Sequence, residues 1–159
     1  MNDMLSLSAA ELGAKLKARD LSPVDAVEAC LERIEATEPK LNAYVRVLAD
    51  EARAAARQAE QEIAAGDWRG PLHGVPVALK DLYDLANVPT TASSRVREDW
   101  TPTTDSAAAE RLKRAGAIIL GKTHTHEFAY GISTPTTRNP WDTERTPGGS
   151  SGGSGATVA

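Results

Sequence analysis

The chain has 159 residues, 41% hydrophobic and 25% charged, with a formal net charge of −4. That length can bury about 70% of the unfolded surface, so a core is expected and disorder is not; no run approaches the roughly 18 apolar residues of a membrane span. The negative balance argues against phosphate-driven binding of nucleic acid, and Cys30, the single cysteine, rules out an internal disulfide framework and fits a reducing cytoplasm.

Met1-Asn2-Asp3-Met4 offers neither the basic nor the apolar region of a secretory signal, which again points to the cytoplasm. Ser8 and Glu11 are spaced as a capping box, with Leu12 and Leu16 on one face of the helix they open. Ser22-Pro23 starts a second helix with proline at its first position and an apolar stripe of Val24, Val27, Leu31 and Ile34. Pro39 is expected to end it near Thr37. A third helix runs from Leu48 to Ala64, rich in alanine, glutamate and arginine, and stops at Gly66. Residues 1–66 thus read as a helical N-terminal segment whose charges are solvated faces.

The character changes at Asp67, and residues 67–159 read as part of an α/β domain. Val75 to Lys80 reads as a strand, with Pro76 near its start where a missing donor is tolerated. Asp105 is expected to cap a helix running to Arg114 and closed by Gly116, and Ala117 to Gly121 reads as a short buried strand. Strand, helix, strand predicts parallel pairing. Lys122 reads as a solvated lysine, and Asp81 and Asp84 receive no catalytic role. His124 and His126 would share a face if they lay on a strand, with Glu127 next to them. Only His73 could join them and no cysteine accompanies them, so no metal is expected. Arg138-Asn139-Pro140-Trp141-Asp142 could touch substrate but reads more readily as a fixed turn.

The segment Pro147-Gly148-Gly149-Ser150-Ser151-Gly152-Gly153-Ser154-Gly155 lets backbone amides approach a ligand closely. A flexible linker does not fit, because proline sets its entry and the apolar run Ala156-Thr157-Val158-Ala159 follows at once. A nucleotide loop does not fit either, for want of the G-K-[ST] ending or the G-x-G-x-x-G spacing. Ser150, Ser151 and Ser154 stand equal as nucleophiles on the residues alone. Lys80 ends an apolar strand, where it can snorkel to water. It can also serve a serine as base if burial lowers its pKa from about 10.4 toward roughly 7 to 8, a change of roughly 4 kcal/mol.

Gly74-Val75-Pro76-Val77-Ala78-Leu79-Lys80-Asp81, Thr90-Thr91-Ala92, Gly121-Lys122-Thr123, Glu127-Phe128-Ala129-Tyr130-Gly131, the turn at Arg138 to Asp142 and the Pro147 to Gly155 loop occur in that order. Together they resemble the amidase signature family from about residue 70 to the last residue. The resemblance implies N-terminal helices followed by part of a mixed α/β sheet sandwiched by helices. It implies hydrolysis of carboxylic amides to acid and ammonia or amine by a Ser–cis-Ser–Lys triad, with no cofactor. Lys80 would be the base and Ser150, after a cis peptide, the proton relay. Gly148, Gly149 and Ser151 would contribute to the loop, Ser151 by holding it through hydrogen bonds.

In family members the acylated serine lies in a further Gly-rich motif downstream, so these residues read as an N-terminal part, inactive alone. Expected partners are a small-molecule amide and either a second copy of the chain or amidotransferase subunits, with no direct contact to nucleic acid or membrane. Two alternatives stand beside the free amidase. One is the glutaminase-type A subunit of a glutamyl-tRNA amidotransferase; the other is an inactive remnant that acts only in association, through the helices Asp25 to Thr37 and Leu48 to Ala64. Ser93, His124 and the short stretch from Gly131 to Arg138 depart from the family pattern, which leaves the substrate open.

Overall fold

In the computed structural model, which describes residues 4–159, the Ser8 hydroxyl accepts from the Glu11 N–H at 3.3 Å. The Glu11 carboxylate accepts from the Ser8 N–H at 2.8 Å. This reciprocal pair satisfies two orphan donors and starts α1 (Ala9–Ala18). The expectation drawn from Met1-Asn2-Asp3 lies outside the described residues. Helix α2 spans Pro23–Leu41 and so runs past its predicted end near Thr37. Pro39 falls in the last turn, where it removes little of the ladder, and Glu38 takes over the terminus. The Glu38 carboxylate accepts from the N–H groups of Ala43 and Tyr44 at 3.1 and 2.8 Å.

A strand that the sequence pattern does not reveal, β1 (Tyr44–Val47), follows; four residues are too few for an alternating pattern to declare itself. Helix α3 (Ala49–Ala65) ends at Gly66, whose φ of 92° is the left-handed cap expected there. Strand β2 (Pro76–Lys80), helix α4 (Ala107–Arg114) and strand β3 (Ile118–Thr123) come next. Asp105 does not cap α4, contrary to expectation. Its carboxylate accepts from the Ala86 N–H at 2.8 Å, and the Ser106 hydroxyl faces the Ala109 N–H at 3.4 Å instead.

The sheet order is β1-β3-β2. Val75 accepts from the Ile118 N–H and Asp81 donates to the Thr123 carbonyl, so β2 and β3 run in the same direction, as the strand-helix-strand order predicts. Strand β1 lies antiparallel to β3 with Tyr44 opposite Thr123 and Val47 opposite Gly121, which makes the sheet mixed. Central β3 is buried at every position.

The chain forms two units, each drawn from several stretches. The first comprises residues up to Ile34, Leu48–Val77 and Glu110–Leu120. Its core joins Val27 and Leu31 to Ala52, Ala56 and Ala59, with Ile118 and Leu120 beneath, and Val24 and Ile34 complete the predicted stripe. Small alanines on α3 let the helices approach, and each buried Val, Leu or Ile is worth about 1.5–3 kcal/mol over its exposed state. Leu12, Leu16, Ala26, Ile63 and Val75 form a second cluster. Among the described residues no helix is long and apolar enough to cross a membrane.

In this unit His73 is buried, with Nδ1 accepting from the Arg69 N–H at 3.2 Å and Nε2 3.0 Å from Glu62 Oε2. Burial lowers its pKa, against the opposing pull of the Glu62 carboxylate and with a smaller push from Arg69. An unfolded chain therefore takes up this proton first as pH falls, and stability present above about pH 6.5 is lost below it. Urea unfolding is expected to show a lower midpoint at pH 5.5 than at pH 7.5, and His73→Gln is expected to flatten that dependence.

The second unit comprises Glu35–Val47, Ala78–Ala109 and Gly121–Ala159, and it holds Lys80, Ser150 and the residues around them.

Candidate active site

Alternation at the end of β2 buries Leu79 and Asp81 and leaves Lys80 half-buried between them. Lys80 Nζ donates to Ser150 Oγ at 2.7 Å, joining residues 70 apart in the chain. Burial alone lowers the Lys80 pKa below the usual lysine range. Of the three serines that the residues left equal, Ser150 is thus the one brought to Lys80. The Ser154 hydroxyl instead pairs with that of Thr123 at 2.8 Å.

The Gly149–Ser150 peptide is cis. Ser150 is anchored through its carbonyl, which accepts from the His126 N–H at 2.9 Å and from the hydroxyls of Thr125 and Thr134 at 2.7 and 3.3 Å. The Thr134 hydroxyl also accepts from the Gly152 N–H at 2.9 Å. Both threonines are buried. Ser151, expected to hold the loop through hydrogen bonds, has an exposed side chain that gives no cap to the following helix, and its carbonyl accepts from the Gly155 N–H at 2.9 Å.

Gly148 adopts φ +81°, and a Cβ on Gly149 would come within 2.7 Å of the Ser133 backbone. The second half of the glycine-rich segment is not loop: α5 spans Gly152–Thr157. Its glycines serve close approach. A Cβ on Gly153 would collide with the Ala43 carbonyl oxygen and lie 2.6 Å from the His124 nitrogen. Gly153→Ala is accordingly expected to destabilise the fold by about 1–3 kcal/mol, read as a lower thermal unfolding midpoint.

Lys122, expected to be solvated, is 0% exposed. Strand β3 continues to Thr123 rather than ending at Gly121, which draws Lys122 into the sheet. Its Nζ lies 2.7 Å from Asp81 Oδ1 and donates to Thr90 Oγ1 at 2.9 Å. Asp81, also 0% exposed, accepts through Oδ2 from the Thr91 N–H at 2.9 Å and the Thr91 hydroxyl at 2.7 Å.

His124 and His126 lie beyond the end of β3 and share no strand face. His124 Nδ1 is 3.2 Å from the Ser93 hydroxyl, and burial lowers its pKa against the opposing Asp81 charge. Glu127 accepts from Ser94 Oγ at 2.5 Å. Among the described residues no three His, Cys, Asp or Glu side chains gather as metal ligands. At Arg138 to Asp142 the structure forms a turn: Asn139 Oδ1 accepts from the Trp141 N–H at 2.9 Å, and the Asp142 carboxylate accepts from Arg145 Nε at 2.9 Å. The Trp141 ring points outward, 85% exposed.

The family model described as Amidase matches residues 25–159, and the chain belongs to the amidase signature family. It is 58% identical over its whole length to an amidase from Pseudomonas putida, of which it covers 34%. It is 49% identical to the A subunit of the glutamyl-tRNA(Gln) amidotransferase from Thermobifida fusca, in a match covering all of this chain and 33% of that protein. The X-ray structure of a peptide amidase from Stenotrophomonas maltophilia matches with a TM-score of 0.87 at 35% identity, over 95% of this chain and 33% of the other. The chain thus spans about a third of the length of these relatives.

Proposed function

We propose that these residues supply the proton-handling part of an amidase site. Lys80 acts as general base and Ser150 as relay, for an acylated serine that lies outside residues 1–159. The single observation carrying this is the 2.7 Å contact between Lys80 Nζ and Ser150 Oγ. In that scheme neutral Lys80 takes the Ser150 proton while Ser150 Oγ takes the proton of the attacking serine. The new C–O bond forms, the returning proton goes to the amide nitrogen, and the C–N bond breaks to release ammonia or an amine. Water then resolves the ester by the same relay. No step calls for a cofactor.

In this proposal residues 1–66 serve packing and residues 67–159 carry the site, and the setting is cytoplasmic. The 159-residue chain alone is proposed to be inactive. The test is ammonia release from simple aliphatic and aromatic amides by the protein extended to the length of its relatives. Ser150→Ala is expected to lower turnover by about 10²-fold or more. Unchanged turnover in that variant overturns the relay, and comparable turnover by the short chain overturns its inactivity.

The 49% identity to the A subunit of an amidotransferase favours a second reading, in which glutamine is the amide and partner subunits receive the ammonia. Stable co-purification of such subunits together with glutaminase activity would support it. A monomer or homo-oligomer that ignores glutamine would return the protein to the free hydrolase.

A further inference from the structure

Strand β3 ends at Thr123, and Thr125 lies buried just beyond it. A buried N–H outside the ladder is costly unless a side chain receives it. The Ser93 hydroxyl does so, accepting from the Thr125 N–H at 3.1 Å. Ser93 adopts φ 52° next to Ala92 at φ 54°, in a turn closed by the Ser94 N–H on the Thr91 carbonyl at 3.0 Å. Glycine takes up that conformation without cost and serine does not, so the contacts of this hydroxyl have a backbone penalty to offset. Its second partner is His124 Nδ1 at 3.2 Å; an N–H cannot accept, so of the two partners only the ring nitrogen can take the hydroxyl proton. Burial, which lowers the His124 pKa against the Asp81 charge, suits the neutral ring that this requires. Ser93 and His124 are also the two single positions at which the chain departs from the family pattern.

Thr125 and His126 in turn carry two of the three donors on the Ser150 carbonyl, the Thr125 hydroxyl at 2.7 Å and the His126 N–H at 2.9 Å; the third, from Thr134, is longer at 3.3 Å. We propose that Ser93 is a positioning residue for the relay: its hydroxyl, turned by His124, fixes Thr125 and so the place at which Ser150 presents Oγ to Lys80. The inference rests on the reading of Ser150 as relay.

The experiment is steady-state ammonia release from a simple amide by the protein extended to the length of its relatives. Ser93→Gly, which relieves the left-handed strain while removing the hydroxyl, is expected to lower kcat about tenfold and to leave KM within about twofold, because a displaced relay slows proton transfer without changing how the amide docks. In the Ser150→Ala background the same change is expected to cost less than about twofold more, since the group it places is gone. His124→Leu, which offers the hydroxyl no acceptor, is expected to lower kcat several-fold, and His124→Asn, whose side-chain carbonyl can take the proton, to recover most of that loss. Should Ser93→Gly fail to fold, Ser93→Ala is read in its place. An unchanged kcat in the Ser93 variant overturns the proposal, and so does a full tenfold loss in the Ser150→Ala background, which would assign Ser93 to packing. A failure of the relay reading would appear separately, as undiminished amide cleavage by Ser150→Ala alone, and would take this inference with it.

Discussion

Lys80→Met is expected to lower kcat for amide cleavage by about 10²–10⁴-fold in the protein extended to the length of its relatives. Methionine keeps the side-chain length and apolar stem and removes the amine that Ser150 Oγ faces at 2.7 Å. Burial lowers the Lys80 pKa, so the parent enzyme should gain activity with rising pH at values below those of an ordinary lysine. The sign follows from chemistry: only the deprotonated amine can accept the Ser150 proton. In Lys80→Met the residual rate should lose that ascending limb, and a profile of kcat/KM against pH checks both statements. A limb of unchanged midpoint in the variant would assign it to another group.

The second large effect is on stability. Lys122→Met is expected to destabilise the fold by about 3–5 kcal/mol, because it leaves a buried carboxylate without its counter-charge. Against a typical stability of about 5–15 kcal/mol, that loss is plain in urea unfolding. Among the described residues Asp81 would keep the Thr91 N–H and hydroxyl as partners. Removing both charges, with Asp81→Asn and Lys122→Met together, is expected to recover most of the loss, since neutral groups of similar shape need no desolvation of an ion. If the double variant is as unstable as the single one, packing rather than charge holds this part of the sheet.

Much of the fold is legible in residue spacing. The Ser8–Glu11 box, the stripe from Val24 to Ile34 and the left-handed stop at Gly66 act through local geometry that sequence encodes directly. Strand β1 is not legible in this way, because Tyr44–Val47 owes its conformation to pairing with β3 rather than to its own periodicity. The α2 terminus is similar: Pro39 signals an end, but the Glu38 carboxylate that extends it acts on N–H groups five and six residues on.

For the site, Lys80 and the glycine-rich segment stand out by type and position, yet nothing local tells Ser150 from Ser151 or Ser154. That choice is made by a contact across 70 residues. Thr125 and Thr134, which fasten Ser150, give no signal beyond being threonines. Lys122 misleads for a physical reason, since a lysine near a strand end is ordinarily solvated and only its meeting with Asp81 makes burial tolerable.

Because position 150 is secured by its carbonyl, the turn that presents its side chain does not depend on what that side chain is. The scaffold and the chemistry are therefore separable there. A cysteine or an alanine could be installed without redrawing the bend, which makes this the natural address for altering the proton path in engineered descendants of the fold.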